Sequence, residues 1–430
     1  MQHVPASNTN EPRYWDSEDL IAEQRRQYDL CHGCRLCWNL CPVFPDLFDL
    51  TDSVQGEMEQ ISAGQFSQIE NNCFQCKLCW VVCPYTSPHE YNLDVPRMIA
   101  RSKFVRAKNE GIKFSKKIIA DQDRLAKLAG GALAPFTNFA NSFPPTRIVS
   151  ELVLDINRNA KLPEYKTQTF SSWFNKHYGT CLKPSDNPVK KIAFFPSCTI
   201  DYNDTQIGKA AISVLAHNNV EVILPDHQCC GMPLMDIGEY DKSVDKMNFN
   251  LNSLSALIDQ GYEIVVAQPT CTLVMREDYP QMSENKELSQ KVATHTMEIG
   301  TFLTQLAREK LLNRDFKKPL GKIAFHVACH TRAQAMGINS PRLLGIIPDT
   351  QVDTSEYCSG HDGSWGVGKK TFPIAIKIGE KLFNNLSKSS PDLIVSDCPL
   401  AARHIEIGTG IRPIHTVQAL AAAYGLSGEQ

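Results

Sequence analysis

Eight cysteines between residues 31 and 83 form two runs of identical spacing, and a proline follows the last cysteine of each run. The runs are Cys31-x2-Cys34-x2-Cys37-x3-Cys41 and Cys73-x2-Cys76-x2-Cys79-x3-Cys83. The x2 spacing lets one tight loop point three thiolates at three irons of a cubane, and the fourth cysteine reaches the neighbouring cluster. The sequence therefore predicts two 4Fe–4S clusters. The first takes Cys31, Cys34, Cys37 and Cys83, and the second takes Cys73, Cys76, Cys79 and Cys41.

Zinc is the alternative occupant of these runs, because it also binds C-x2-C pairs. Eight cysteines in a duplicated pattern are unusual for zinc, so iron–sulfur clusters are favoured. The long segment between the runs is predicted to be helical over residues 54–71, which lack proline and carry apolar residues at helical spacing. We therefore expect a helical two-cluster ferredoxin domain over 26–95, after a loose N-terminal arm over 1–25. Trp38 and Trp80 follow the third cysteine of each run and are expected either to shield the clusters or to pack against helices.

The second half of the chain repeats itself. Residues 191–198 (KIAFFPSC) resemble 322–329 (KIAFHVAC), and residues 263–271 resemble 392–398. Short apolar strands alternate with helical segments, which is typical of an α/β fold. The predicted fold is thus a helical domain followed by two tandem α/β modules, over 190–318 and 319–430. Because open α/β sheets form their sites at the carboxyl ends of strands, the cysteines that follow these strands should converge within each module.

The first module offers four such cysteines, namely Cys198, Cys229, Cys230 and Cys271. Gly231 follows the adjacent pair and lets the backbone turn closely past a cluster. Four thiolates suffice for a third iron–sulfur cluster or for a zinc ion. Cys181 lies apart from every motif and is expected to be a bystander in a linker.

The C…CCG…C pattern of the first module resembles the cysteine-rich domain of the heterodisulfide reductase family. That family includes the C subunits of anaerobic glycerol-3-phosphate dehydrogenases. The resemblance covers nearly the whole chain, including both ferredoxin runs, residues 228–233 (QCCGMP) and 270–273 (TCTL), and Cys329-His330. The fullest form of the family's motif has five cysteines: one alone, an adjacent pair, and a C-x2-C. In the first module of this chain, Val274 occupies the last place.

The second module departs further from the family's motif. Ser359 takes the second place of the pair, and Ala401 ends the C-x2-C. The remaining candidate metal ligands are Cys329, Cys358 and Cys398, with His330 and His361 beside them. Three thiolates and an imidazole can hold a cluster, zinc or a single iron. The alternative is a structural duplicate that has lost its metal. His326 and His404 could supply protons, although lone histidines more often serve packing.

Residues 96–189 are predicted to form a helical linker region. Residues 97–127 hold ten Lys or Arg against three acids, and the apolar stretch 129–146 follows. Basic residues attract anionic lipid and apolar ones enter the interface, so peripheral membrane contact is one expectation. A solvated helix with a packed linker is the other. The resemblance favours the membrane.

The composition is that of a globular protein, with 42% hydrophobic residues, 21% charged residues and a formal net charge of −3. This balance gives no general attraction to nucleic acid. No basic, apolar leader is evident at the N-terminus, and no apolar run reaches 18 residues. We therefore expect a cytoplasmic protein, located at the cytoplasmic face of the membrane if the linker region binds lipid. Neither a flavin nor a nicotinamide fingerprint is evident, which assigns hydride chemistry to a partner.

Three functions fit these observations. The resemblance implies an iron–sulfur electron-transfer subunit of a quinone-linked dehydrogenase or reductase, which works with a flavoprotein or another redox protein. A second hypothesis is thiol–disulfide catalysis at the Cys229-Cys230 pair, as in a heterodisulfide reductase. A third is an electron donor to, or redox sensor with, a non-haem iron protein of oxidative stress. The altered second module motivates the third.

Overall fold

The computed structural model describes residues 8–183, 187–388 and 390–426. Parts of the predicted arm (1–7), linker (184–186) and second module (389 and 427–430) lie outside these ranges. The expectation of a loose arm does not hold for its described part. Residues 12–15 form a short 3-10 helix, and the first α-helix begins at Ser17 with Asp16 as its cap. Tyr14 and Leu20 are buried, so this segment packs against the protein.

The N-terminal domain is helical, as predicted. Its helices are α1 (Ser17–Cys34), α2 (Val43–Ser53), α3 (Ala63–Glu70), α4 (Leu78–Val81) and α5 (Val95–Glu110). The predicted helix over 54–71 is shorter than expected, because Gly56 adopts a positive φ of 86° and a capping box of Ser62 and Gln65 starts α3. Buried Glu70 joins three helices by accepting hydrogen bonds from Gln24, Tyr28 and Ser102.

The linker region is helical, as predicted, and contains five further α-helices after α5. They are α6 (Phe114–Ala120), α7 (Gln122–Ala129), α8 (Ala134–Ser142), α9 (Pro144–Val153) and α10 (Phe170–Tyr178). Gly111 ends α5 with a φ of 78°, and Asp121 separates α6 from α7. Two cations of the basic stretch stabilise the fold through ion pairs. Arg101 pairs with Asp19, and Lys103 pairs with Asp236.

The first α/β module contains a five-stranded sheet in the order β1-β3-β2-β4-β5, in which only β1 is antiparallel. The strands are β1 (Cys181–Leu182), β2 (Lys190–Phe195), β3 (Val220–Ile223), β4 (Glu263–Val266) and β5 (Thr296–Glu298). The helices are α11 (Ser197–Tyr202), α12 (Thr205–His217), α13 (Met232–Asp236), α14 (Tyr240–Ile258), α15 (Pro269–Leu273), α16 (Tyr279–Met282), α17 (Lys286–Thr294) and α18 (Ile299–Arg308). A π-helical turn, Val274–Asp278, joins α15 to α16.

The second module contains a three-stranded parallel sheet in the order β7-β6-β8. The strands are β6 (Gly321–His326), β7 (Thr350–Ser355) and β8 (Leu393–Ser396), and the helices are α19 (Cys329–Ala333), α20 (Asn339–Leu344), α21 (Phe372–Ser387), α22 (Pro399–Thr409) and α23 (Thr416–Tyr424). The order repeats β3-β2-β4 of the first module. One apolar core spans both modules and includes Phe194, Leu215, Phe325 and Leu420.

A buried carboxylic acid lies where the two modules meet. Glu298 accepts hydrogen bonds from Thr331 Oγ1 at 3.0 Å and from Gln334 Nε2 at 2.6 Å. Burial raises the pKa of Glu298 to about 8, and the nearby Asp397 carboxylate adds to this effect. The folded protein therefore holds Glu298 protonated at neutral pH, whereas the unfolded chain releases this proton near pH 4.5.

This difference predicts a pH-dependent stability. A raised pKa in the folded state contributes stability that is fully present below pH 4.5 and is lost as the pH rises through 8. Glu298→Gln removes the loss, so between pH 5 and pH 8.5 its free energy of unfolding should gain up to about 4 kcal/mol relative to that of the wild type. Urea unfolding at both pH values measures this. Glu309→Gln, at a largely solvated ion pair with Lys190, is the control and should follow the wild type. Parallel curves for all three proteins would contradict the prediction.

Candidate functional site

The two ferredoxin runs of the helical domain begin in different elements but share one backbone feature. Cys31 and Cys34 lie in the last turn of α1, and the second run passes from the loop after α3 into α4. The residue after the second cysteine of each run is left-handed, with φ values of 53° at Arg35 and 59° at Lys77. The backbone therefore reverses at the same point of each run, which turns the third cysteine back toward the first two.

The first predicted set of thiols comes together in the structure. Burial raises the pKa of Cys31, and the charges of Cys37, Cys83 and Cys34 raise it further. Burial also raises the pKa of Cys37 to about 11, with Cys83 and Cys34 as its charged neighbours. Cys83 comes from the second run, so the thiols of this set are drawn from both runs.

The second set is grouped in the same way. Burial raises the pKa of Cys79, and the thiols of Cys76, Cys73, Cys41 and Cys37 add to it in that order. Cys41 from the first run is thus among the cysteines of the second. The presence of Cys37 shows that the two sets adjoin, since a Coulombic effect of this kind requires short separation.

The first set lies close to the protein surface. Cys34 is exposed, and the apolar side chains of Leu36 and Val82, each beside a cysteine of this set, are also exposed. Trp38 stacks on Phe48 of α2, with 5.7 Å between ring centroids. Trp38 therefore packs against a helix, which was one of the two roles expected for it.

In the first α/β module the four cysteines follow three parallel strands. Cys198 follows β2 in α11, the Cys229-Cys230 pair follows β3, and Cys271 follows β4 in α15. The Sγ atoms of Cys198 and Cys229 are 3.9 Å apart. Contacts with the Cys229 and Cys271 thiols, together with burial, raise the pKa of Cys230. The predicted convergence at the carboxyl edge of the sheet is therefore present.

Hydrogen bonds hold the loop of the cysteine pair. The Cys229 N–H donates to Asp123 Oδ2 at 3.3 Å, and Lys246 Nζ lies 2.6 Å from Asp123 Oδ1. The Tyr279 hydroxyl donates to the Cys230 carbonyl at 3.1 Å. Gly231 has a φ of 94°, a conformation that side chains with a Cβ rarely adopt. The pair is thus held from both sides. The cysteine motifs indicate only residues of the module at this site, but Asp123 of the linker region also contributes to it.

The second module brings its three cysteines to the equivalent edge. Cys329 begins α19, Cys358 follows β7, and Cys398 caps α22 by accepting from the Ala401 N–H. Burial raises the pKa of Cys329, followed by the charges of Cys76, Cys358 and Cys398. Cys76 belongs to the second ferredoxin set. The second module therefore presents its cysteines to the ferredoxin domain.

Direct contacts join the two regions. His330 Nε2 donates to the Gln75 carbonyl at 3.1 Å, within the second ferredoxin run. The rings of Phe74 and Trp365 lie 4.7 Å apart. An ion pair of Lys77 with Asp278 joins the same run to the first module. The loop that carries Cys73 and Cys76 is thus held against both modules.

The structure gives His330 a different role from the predicted one. Its Nδ1 accepts from Thr270 Oγ1 at 2.8 Å while its Nε2 donates to Gln75, so both ring nitrogens are already used. His361 and His404 differ, because the four ring nitrogens of this pair are buried and, within the described part of the chain, make no hydrogen bond of ordinary geometry. Burial lowers the pKa of His404 to about 4, and burial likewise holds the pKa of His361 well below its usual value, so both rings are neutral at pH 7.

The donor chemistry of these sets fits iron–sulfur clusters. Cubanes take thiolates in sets of four, with three from one loop and one from a distant segment, and both ferredoxin sets have that composition. Within the described ranges, no three His, Cys, Asp or Glu side chains are grouped closely enough to hold a single metal ion. Nor does any helix in those ranges have the length and apolar character needed to cross a membrane.

Fold and site together define the class of iron–sulfur electron-transfer proteins, and comparison with known proteins makes the assignment specific. Residues 24–110 match the citrate utilization protein B Fer4-like domain, and residues 192–276 and 323–405 each match the cysteine-rich CCG domain. The C subunit of the anaerobic glycerol-3-phosphate dehydrogenase of Escherichia coli K12 is 30% identical over 67% of this chain and 72% of that protein. The chain belongs to the heterodisulfide-reductase-like family of CCG iron–sulfur proteins that includes this relative, which confirms the resemblance seen in the sequence.

Two further relatives are similar to about half of this chain. The B subunit of the fumarate reductase (CoM/CoB) of Methanothermobacter marburgensis is 27% identical over 51% of this chain and 42% of that protein. Lactate utilization protein A of Bacillus cytotoxicus is 25% identical over 54% of this chain and 98% of that protein.

Proposed function

We propose that this chain is the electron-transfer subunit of a dehydrogenase or reductase complex. It carries two 4Fe–4S clusters, held by the two crossed cysteine sets, and a third metal centre in the first α/β module, held by Cys198, Cys229, Cys230 and Cys271. The observation that carries the proposal is the continuity of thiol sets. The first set adjoins the second through Cys37, and the second adjoins the cysteines of the second module through Cys76.

This continuity supports a route for electrons. They enter or leave at the first cluster, whose Cys34 is exposed, and pass through the second cluster to the α/β modules. A residue pair lies between the two modular sites. Arg403 is charge-coupled to Cys398 of the second module, and Tyr165 is coupled to both Arg403 and Cys198 of the first. The route can therefore continue from the second module to the first without crossing solvent.

The partners are proposed from the relatives and from the surface. Two relatives are named as subunits of a dehydrogenase and of a reductase. We extend that assembly to this chain, with a flavoprotein subunit that performs the hydride chemistry and a quinone as acceptor. The exposed apolar side chains of Leu36 and Val82 beside the first cluster are a suitable place for the flavoprotein to dock.

The linker helices are proposed to rest on the cytoplasmic face of the membrane. Leu133, Phe136, Phe139, Phe143, Ile148, Val149, Leu152 and Val153 are all exposed on or beside α8 and α9. Lys113, Lys116, Arg124 and Lys127 are exposed on or just before α6 and α7. Apolar side chains enter the lipid interface while neighbouring cations attract anionic headgroups.

Isolation of the tagged chain from its native cells under anaerobic conditions tests the subunit proposal. The expected result is a complex that contains flavin and that reduces a quinone analogue, with EPR signals from the iron–sulfur clusters. Recovery of the chain with intact clusters, but with neither flavin nor a second polypeptide, would overturn the proposal. About eight irons per chain would limit the clusters to the ferredoxin domain, and about twelve would place another in the first module.

A further inference from the structure

Two histidines of the second module have buried ring nitrogens with no evident structural purpose. His404 is 3% exposed, and its ring lies 5.0 Å from that of His361. All four ring nitrogens are shielded from solvent, and none makes a hydrogen bond of ordinary geometry with any residue that the structure describes. A neutral imidazole needs one donor and one acceptor partner, and each buried group without a partner costs about 1–3 kcal/mol. A ligand that takes up the nitrogen lone pairs removes this cost.

Both histidines belong to the motifs that carry the cysteines of this module. His361 follows Cys358-Ser359-Gly360, and His404 lies in α22, the helix that Cys398 caps. The His404 ring comes close enough to the Ser359 backbone for a weak hydrogen bond, which opposes the lowering of the pKa of this histidine by burial. A Cβ added at Gly366 would lie 3.4 Å from His404 Cε1, so this glycine keeps the space beside the ring open.

The cysteine motif of the second module also lacks two thiolate ligands, and two imidazoles would replace them. The fullest form of the pattern has five cysteines, and this module lacks two of them, at Ser359 and Ala401. One missing thiol belongs to the motif of His361 and the other to the motif of His404. The other buried histidines of the module are used elsewhere, since His326 pairs with Ser396 and His415 bonds to Ala267 and Val417.

We propose that the second module binds an iron–sulfur centre in which His361 and His404 replace the two missing thiolates. The remaining ligands are Cys329, Cys358 and Cys398. The proposal rests on the proposed function, because it assumes that electrons reach this module from the second ferredoxin cluster. Neutral imidazole donates less negative charge than thiolate, so a centre with imidazole ligands accepts electrons at a higher potential. A centre beside Cys76 with such ligands draws electrons out of the ferredoxin domain.

Nitrogen ligation gives a signature that is independent of activity. In the reduced full-length protein, pulsed EPR should detect strong ¹⁴N couplings on a signal that is distinct from those of the ferredoxin clusters. His361→Ala and His404→Ala should each remove one coupling, while His326→Ala, the buried control, keeps both. His404→Cys should retain the signal, lose one coupling and shift the midpoint potential downward. If an alanine variant loses the whole EPR signal, the cysteine variant shows whether the cause is the loss of a ligand or misfolding.

The outcomes separate this proposal from the one on which it rests. Absence of nitrogen coupling, with all cluster signals present, overturns the histidine ligation and leaves the electron-transfer function intact. Absence of the ferredoxin signals overturns the function itself. Zinc that is lost in both histidine variants, without a further iron signal, also overturns the proposal, because zinc cannot take up electrons.

Discussion

Cys41→Ser should abolish the cluster of the second cysteine run and spare the cluster of its own run. The reason is the crossed grouping of the thiols. The charges of Cys76 and Cys73 raise the pKa of Cys41, whereas the charge of Cys83 raises the pKa of Cys31. We expect a loss of about four irons per chain, since a cubane that lacks one thiolate is released or degraded. Anaerobic iron and sulfide analysis measures this loss, and EPR of the reduced protein identifies the missing signal.

The reciprocal variant and a neutral one complete the experiment. Cys83→Ser should remove the other signal, that of the cluster nearer the surface. Cys181→Ser is the matched control, because Cys181 is remote from every set and contacts Glu221 instead. If Cys41→Ser and Cys83→Ser remove the same signal, or if either behaves like Cys181→Ser, the crossed assignment is wrong.

The same variant has a functional consequence. Because the second set contains Cys76, which adjoins Cys329 and Cys358, loss of its cluster separates the first cluster from both α/β modules. Reduction of the modular centres by a donor at the first cluster should then fall by at least about a hundredfold in Cys41→Ser. Cys83→Ser interrupts the route at its other end.

Spacing in the sequence predicts which cysteines come together because ligand geometry is local. The two runs and the strand-cysteine repeats each place several thiols by short loops or by a shared sheet edge. Helix limits were less predictable. Residues 54–71 satisfy helical periodicity, yet the backbone at Gly56 and the cap at Ser62 delay the helix to Ala63. Capping signals compete with periodicity at such positions.

Contacts between domains lie beyond what spacing can predict. Nothing local indicates that His330 bonds to Gln75, since the pairing depends on how the ferredoxin domain docks on the modules. The proximity of His404 to His361 could not be predicted for the same reason. The local signal of His404 in the sequence is its place in the helix after Cys398, and its distinguishing property is a pair of buried ring nitrogens that make no hydrogen bond of ordinary geometry within the described part of the chain. That property exists only in three dimensions.

Phe136→Asp combined with Leu152→Asp should release the protein from lipid vesicles. Both side chains are more than 70% exposed, on neighbouring helices, and each belongs to a row of exposed apolar residues at spacings of three or four. Burial of one such side chain stabilises binding by about 1.5–3 kcal/mol, so removal of two predicts a loss of at least a hundredfold in vesicle affinity. Flotation with vesicles of mixed neutral and anionic lipid measures this loss.

A matched control and the salt dependence distinguish lipid from a protein partner. Phe249→Asp changes the same residue type on α14 of the first module, far in sequence from the linker helices, and should float like the wild type. Because Lys113, Lys116, Arg124 and Lys127 are exposed beside the apolar rows, binding should weaken in high salt and on purely neutral vesicles. If the wild type fails to float on any vesicle, while the double aspartate variant loses its flavoprotein partner, these helices form a protein interface instead. Contact with water is unfavourable for so many adjacent apolar side chains. We therefore expect either lipid or a partner protein to cover these rows.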